Sequence, residues 1–267
     1  MPIFGITRKM LGLRTPVSEQ PTRGLPRSFR AIPQILTKLN PPTTPVEWHT
    51  AMDIRRPYFS VGNMPEPYMN CPIRAFRLLE GARVYIELGT RDKGNVAWMA
   101  RTKLVPGATI IDVDLEEFPQ HERMLRHELK NDFDYHRIIG NSVSDEVLDK
   151  VRSALGGRLA DGIFCDSSHL YGHTLSEFDR YFPLVRPGGA LMFHDCYWEG
   201  NDTDKGKSQA LAQIDRFNPV WVSYADEPIH RFLPLSSKGG DSWAGVAIIL
   251  NAEANAPLKL AAEWAEG

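Results

Sequence analysis

Cysteine is scarce in this 267-residue sequence: Cys71, Cys165 and Cys196 lie far apart, without a C-x-x-C pair. A disulfide scaffold and a cysteine-knuckle zinc site are therefore excluded, and a reducing cytoplasmic compartment is expected. Long hydrophobic runs are missing too, since the longest, such as Ala244–Leu250, are strand-sized, well short of the roughly 20 residues of a membrane helix. Neither sign of charge dominates, with 31 Lys+Arg against 33 Asp+Glu, so no electrostatic pull toward nucleic acid or a membrane surface is expected. The dinucleotide signature G-x-G-x-x-G is absent, as is any internal repeat. What is present is 42% hydrophobic residues, enough for a sizeable core in one large domain with an appendage.

The appendage is at the start. Seven basic residues (Arg8, Lys9, Arg14, Arg23, Arg27, Arg30 and Lys38) face a single acid, Glu19, in the first forty positions. That profile resembles a transit peptide, but Pro2, Pro16, Pro21 and Pro26 interrupt any amphipathic helix, which favours a flexible arm. Apart from a short helical possibility at Ser28–Leu39, no period of 2 or 3.6 is sustained before about Pro67. Residues 1–70 therefore read as a Pro-rich arm or lid, 71–252 as the main domain and 253–267 as a tail.

In the main domain, a helix at Cys71–Glu80 precedes an alternation of strand and helix. Strands are expected at Arg83–Leu88, Ala108–Val113, Asp134–Ile139, Asp161–Cys165 and Ala190–His194. Helices are expected at Gly94–Lys103, Phe118–Leu129, Asp145–Leu155 and Thr174–Val185, with Arg186-Pro187-Gly188-Gly189 as a turn. This order predicts an α/β fold with a mostly parallel, Rossmann-like sheet and helices on both faces. After a helix at Ser208–Phe217, the strands Val220–Tyr224 and Gly245–Leu250 have no crossover helix between them, which predicts an antiparallel pairing at the C-terminal end.

Ligands of such sheets bind beyond the carboxyl ends of the strands, and those ends are polar here. The first carries Glu87-Leu88-Gly89-Thr90, the second Asp112 and Asp114, the third Gly140-Asn141-Ser142, the fourth Asp166-Ser167-Ser168-His169 and the fifth His194-Asp195. Gly89 permits close backbone approach, and an acid about twenty residues on suits a ribose diol, so an adenosine-containing cofactor is expected, with Asp112 at the ribose. The plainer alternative is a glycine closing a turn and an acid capping a helix. A Walker-like stretch, Gly200–Ser208, has the wrong glycine spacing and two acids that would repel phosphate.

Asp166 and Asp195 end adjacent strands, and converging carboxylates call for a cation between them unless each simply caps the following helix. Oxygen ligands favour magnesium, while His194, or Cys165 or Cys196, would bias the site toward a softer ion. His169, just beyond Asp166, is the candidate general base. His49, His121, His127, His136 and His230 read as solvated, and His173 either faces the cleft or begins a helix.

The stretches IELGTRDKGNVAWM (Ile86–Met99), IIDVDLE (Ile110–Glu116), IIGNSVSDEVLDKVR (Ile138–Arg152) and DSSHLYGHTLSEFDRYFPLVRPGGALMFHD (Asp166–Asp195) resemble class I S-adenosylmethionine-dependent methyltransferases. Within these, the similarity is to the cephalosporin-hydroxylase-like group and its metal-dependent sugar and macrolide O-methyltransferase relatives. The resemblance spans less than half the chain, and its last stretch is the most specific. It implies that Glu87 and Gly89 line the methionine end of S-adenosylmethionine, that Asp112, with Asp114 close by, holds the ribose, that Asn141 and Ser142 lie near the adenine, and that Thr90 and Asp166 also belong to the cofactor site. It further implies Asp166 and Asp195 as ligands of a divalent cation, with His169 as base. The departure is His194, where the family commonly has an acid: histidine still ligates but removes a negative charge.

The implied activity is metal-assisted methyl transfer to a small-molecule hydroxyl of a natural product or saccharide. Trp48, Tyr58, Phe59, Tyr68, Tyr197 and Trp198 offer flat surfaces for such an acceptor, or else pack the core or contacts of a homo-oligomer formed through the arm. Two other classes share the layout: a nicotinamide-dependent oxidoreductase, opposed by the missing glycine signature, and a non-catalytic adenosine-cofactor-binding module, with which His194 is compatible.

Overall fold

The computed structural model describes residues 43–58, 70–195, 206–215, 220–223 and 246–251. Seven strands, β1 (Ala82–Leu88), β2 (Leu104–Asp114), β3 (Asp134–Ile139), β4 (Ala160–Cys165), β5 (Val185–His194), β6 (Val220–Ser223) and β7 (Val246–Leu250), form one sheet in the order β3-β2-β1-β4-β5-β7-β6. The first five are parallel, and β7 runs antiparallel to both β5 and β6. The expected α/β class and the antiparallel C-terminal strand are thus both present. Strand order reverses at β1, which pairs with β2 on one side and β4 on the other. At such a reversal point parallel sheets hold their ligands, in the crevice beyond the strands' carboxyl ends.

Helices α1 (Pro45–Arg55), α2 (Asn70–Ala75), α3 (Gly94–Thr102), α4 (Pro119–Leu129), α5 (Asp145–Leu155), α6 (Tyr171–Tyr181) and α7 (Gly206–Asp215) accompany the sheet. Alternation along the strands divides the core in two. Tyr85, Ile110, Phe164 and Met192 pack with residues of α1, α3 and α4 on one face, whereas Ile86, Ile111, Ile163 and Leu191 pack with α5 and α7 on the other. Because both faces are covered, the strand sequences are nearly continuous apolar runs, and each buried aliphatic side chain contributes about 1.5–3 kcal/mol relative to exposure. Among the described residues no helix is long and apolar enough to cross a membrane.

The stretch read as an arm contributes α1 to this core. Thr44 caps the helix by accepting from the Glu47 N–H, while the Glu47 carboxylate accepts from the Thr44 N–H. Such reciprocal capping satisfies two otherwise orphaned donors. Glu47 also takes two hydrogen bonds of 2.7 Å from Arg77, and Ala51, Met52, Ile54 and Tyr58 enter the core. Tyr58 is 1% exposed, with its hydroxyl 2.5 Å from Glu128, and Trp48 packs against the same cluster. Tyr58 is interior and Trp48 half-buried against the core, and neither lines the cavity described below. Phe59, Tyr68, Tyr197 and Trp198 lie outside the residues whose surroundings are described, as do Ser28–Leu39 and the 253–267 tail.

Several boundaries differ from expectation, two of them at prolines and glycines. The helix expected to run to Val185 stops at Tyr181, and Phe182–Leu184 forms a 3₁₀ turn around Pro183, whose ring cannot continue an α-helix. The Arg186–Gly189 turn is part of β5, absorbed as a register irregularity against β4 between Ala160 and Gly162. A Cβ at Gly189 would lie 2.7 Å from the Asp161 carbonyl oxygen, so glycine permits the close approach there.

Candidate functional site

At the reversal point β1 ends in Glu87 and Leu88 and turns sharply at Gly89, whose φ is +83°. A Cβ at Gly89 would stand 2.5 Å from the Asp166 carbonyl oxygen and 2.6 Å from the Ser167 Cα. Only glycine lets the β1 and β4 loops come this close. The turn is tied to its neighbours by the Gly89 N–H donating to the Val113 carbonyl and the Asp166 N–H donating to that of Leu88, both at 2.8 Å.

The loop then does without further glycines until α3 begins at Gly94, so Arg91 and Lys93 take left-handed φ values of 43° and 65°. Lys93 is held by its side chain: Nζ lies 2.5 Å from Asp112 Oδ2, and neither side chain is exposed. Asp112 also accepts from the Tyr135 hydroxyl at 2.6 Å, from Thr90 Oγ1 and from Arg137, its cross-strand neighbour on β3. Asp112, expected at the ribose, is therefore a buried anchor under the loop, with both oxygens engaged. The acid at this strand end that faces the crevice is Asp114, which accepts from the Arg91 N–H at 2.6 Å and from the Glu116 N–H at 3.1 Å.

The crevice is a cavity of about 560 Å³, within the roughly 300–1,000 Å³ usual for small-ligand sites. At one end it is lined by Arg55, Glu87, Gly89, Thr90, Asp92 and Asn95. Glu87 is 1% exposed, accepts from the Tyr85 hydroxyl at 2.6 Å and from Asn95 Nδ2 at 3.1 Å, and is pushed up to about 8 by burial despite those bonds. Burial likewise raises Asp92, against the pull of the Gly94 N–H and Arg55. Along the wall at the end of β3 lie Asp114, Asn141 and Ser142. Ser142 donates to Glu177 at 2.6 Å, and Ser167 donates to the same oxygen at 2.5 Å. His173 faces the cavity from α6, with Nε2 3.0 Å from Ser142 Oγ and 3.2 Å from Glu177.

Asp166, His169 and Asp195, which follow β4 and β5, line the same cavity. His194 Nδ1 lies 3.0 Å from Asp166 Oδ1 and 3.3 Å from Asp195 Oδ1, and His169 Nε2 lies 3.3 Å from Asp195 Oδ2. Asp166, His194 and Asp195 each present a ligand atom within 4.8 Å of the others. Burial pulls the His194 imidazole down, but Asp195 and Asp166 outweigh it and raise it to about 9. Burial pushes Asp195 up, and the His194 charge, the His169 hydrogen bond and Lys207 turn the balance downward. Lys207, fully buried at the start of α7, donates to the His194 carbonyl at 2.9 Å, so the last residues of the Walker-like stretch brace this cluster. Its positions 200–205 lie outside the described residues.

The cluster fits a cation. Asp195 Oδ1 is buried without a hydrogen-bond partner, on a residue whose φ is +51°. A buried carboxylate oxygen without a hydrogen bond, beside a second carboxylate and an imidazole, is a donor set for a divalent ion. Cys165 does not join it: the thiol is packed in the core and burial pushes it up. Cys196 and His230 lie outside the described residues, His49 and His127 are exposed, and His121 and His136 are half-buried away from the cavity.

Sequence reading missed Arg55, Asp92, Asn95 and Glu177. For Arg55 a signal existed: Thr44-Pro45-Val46-Glu47 is a capping-box pattern with proline in the first helical turn, marking α1.

Residues 86–196 match the family described as "Methyltransferase domain". A 53-residue stretch is 42% identical to demethylmacrocin O-methyltransferase of Streptomyces fradiae, covering 18% of this chain and 13% of that protein's length. Among solved structures, the O-methyltransferase TomG of Streptomyces achromogenes, involved in tomaymycin synthesis and in complex with SAM, superposes with a TM-score of 0.51 at 15% identity, covering 79% of this chain and 91% of that one. An O-methyltransferase from Bacillus cereus in complex with SAH gives 0.48 at 16% identity, covering 84% and 98%.

Proposed function

We propose that this chain, a methyltransferase-domain protein over residues 86–196, transfers the methyl group of S-adenosylmethionine to a hydroxyl of a small molecule, a natural product or a saccharide. One observation carries the reading: a single cavity is lined both by the Gly89 turn and by Asp166, His169 and Asp195. A donor seated on the turn would thus face a proton acceptor across one enclosed space.

Asp114 takes the ribose hydroxyls in this reading, since it faces the cavity while Asp112 is consumed by the loop. Glu87 with Asn95 takes the methionine ammonium, and Asn141 and Ser142 border the adenine. Asp166, His194 and Asp195 would hold a divalent cation, which when bound lowers the pKa of a nearby hydroxyl. Asp195 Oδ2, 3.3 Å from His169 Nε2, orients the imidazole. A proton kept on Nε2 leaves Nδ1 as the basic nitrogen for the acceptor hydroxyl. General-base action is worth about 10²–10⁴ in rate, and alignment of donor and acceptor supplies more.

Calorimetric titration with S-adenosylhomocysteine, NADH and ATP, followed by labelled methyl transfer to a panel of glycosides with and without chelator, tests the reading. Binding of the homocysteine ligand alone, with chelator-sensitive transfer, is the expected result. Preferential NADH binding would return the chain to the oxidoreductase class. Binding without transfer to any hydroxyl would favour a cofactor-binding module.

A further inference from the structure

Arg55 closes the end of the cavity from outside the 86–196 segment. It is the last residue of α1, 2% exposed, and shares the cavity wall with Glu87, Gly89, Asp92 and Asn95. Its side chain lies along the start of α3, where a Cβ at Gly94 would be 3.3 Å from Arg55 Cγ and Nε. The negative groups that act on it are Asp92, Glu87 and Asp166.

A guanidinium taken out of water needs anions around it. Burial holds Glu87 near 8, so its carboxyl is largely protonated at neutral pH where it shares the cavity wall with the Arg55 guanidinium. The same wall therefore presents a fixed cation beside a carboxyl group that can still ionise. That pair matches an α-amino acid, whose carboxylate seeks the guanidinium and whose ammonium seeks Glu87.

We propose that Arg55 binds the α-carboxylate of the cofactor's amino-acid end, so that the helix preceding the methyltransferase domain completes the cofactor site. This rests on the S-adenosylmethionine reading above. The guanidinium is held in place by the docking of α1, through Ala51, Met52 and Ile54 in the core and the Glu47–Arg77 pair. Cofactor affinity and the seating of α1 are therefore linked.

The test pairs truncation of the residue with truncation of the ligand. Wild type, Arg55→Gln and Arg55→Lys are titrated with S-adenosylhomocysteine, with its decarboxylated analogue and with 5′-methylthioadenosine, which lacks the amino-acid end. Wild type should bind the decarboxylated analogue about tenfold or more weakly than the parent, the scale of one charge-assisted hydrogen bond. Arg55→Gln should lose a similar factor for S-adenosylhomocysteine, bind the two truncated ligands within about twofold of wild type, and be partly rescued in Arg55→Lys. Equal losses for all three ligands, or none for any, would overturn the assignment. Should Arg55→Gln fail to fold, equal affinity of wild type for S-adenosylhomocysteine and its decarboxylated analogue would overturn it just as well, and a tenfold gap together with rescue in Arg55→Lys would support it. If wild type binds none of the three, the cofactor reading itself falls and takes the assignment with it.

Discussion

Lys93 and Asp112 form an ion pair of 2.5 Å in which neither side chain touches solvent. The pair fixes a lysine in the left-handed region, where glycine is the usual residue, and it turns an acid one would place at a ligand into a support for the loop. Removing one member of a buried pair strands the other's charge, which costs about 3–5 kcal/mol. Lys93→Met should therefore lower the unfolding free energy by about 3 kcal/mol, the low end, because Tyr135, Thr90 and Arg137 still serve Asp112. Adding Asp112→Asn to it should recover part of the loss. Urea denaturation of the two single variants and the double variant reads the coupling, and strictly additive losses would contradict it.

Gly89→Ala should abolish cofactor binding. The new methyl would sit 2.5 Å from the Asp166 carbonyl oxygen at a φ of +83°, forcing the β1 and β4 loops apart at a cost of about 1–3 kcal/mol. Titration with S-adenosylhomocysteine alongside thermal melting checks it: a folded variant with unchanged affinity would show that the turn is not the cofactor's seat.

These two positions mark where sequence was readable and where it was not. Gly89 was legible because a glycine between an apolar strand and a helix has few other uses. The strands were legible because both faces are buried, which writes them as continuous apolar runs. The role of Asp112 was not, since nothing local reveals that Lys93, Tyr135 and Arg137 converge on it from a loop and a neighbouring strand. The strand also runs on to Asp114, one residue past its expected end, so the acid at its tip is Asp114 and not Asp112. The Pro187-Gly188-Gly189 stretch reads as a turn by composition and is held within a strand by pairing, as the Gly188 N–H donates to the Asn251 carbonyl at 2.7 Å. Helix α1 carried its capping signal but was hidden among prolines.

If Glu87 takes the cofactor's ammonium as proposed, ligand binding is proton-linked. Burial raises its carboxyl from 4.5 to about 8, so the free protein holds a proton there at neutral pH, and pairing with an ammonium expels it. Affinity for S-adenosylhomocysteine should climb as pH rises toward about 8 and level off above it. Glu87→Gln should flatten the profile. Calorimetry at neutral pH in buffers of different ionisation enthalpy should detect proton release, and proton uptake would contradict the ionisation. The same raised value means that Glu87's stabilising contribution to the unliganded fold is complete below 4.5 and is lost as pH rises through about 8.

Asp195→Asn replaces the orphaned oxygen's carboxylate with a neutral amide. Direct titration with manganese should show affinity falling by about 10–100-fold or more, while S-adenosylhomocysteine binding in chelator is retained. Unchanged manganese affinity would remove Asp195 from the cation site.

Thr44→Ala deletes the α1 cap and should cost about 1 kcal/mol in thermal or chemical unfolding. Glu47 adds an acid dependence: although burial opposes it, Arg77 and Thr44 hold its carboxyl at about 2 rather than 4.5. Its stabilisation is present above 4.5 and disappears as pH falls toward about 2. Glu47→Gln should weaken that acid sensitivity, and an unchanged acid-unfolding curve would show that the pair contributes little.

Strand β7 pairs along the whole end of β5, with Val246 opposite His194 and Leu250 opposite Ala190. The backbone that carries His194 therefore stays an open edge during synthesis until the ribosome has released residues more than fifty positions downstream. Nascent chains in that interval expose an apolar edge with free amide and carbonyl groups, the kind of template on which chains join one another. Shortening the chain before Val246 would act as a folding lesion along the flank of β5, and its first symptom would be poor recovery of material from the cell.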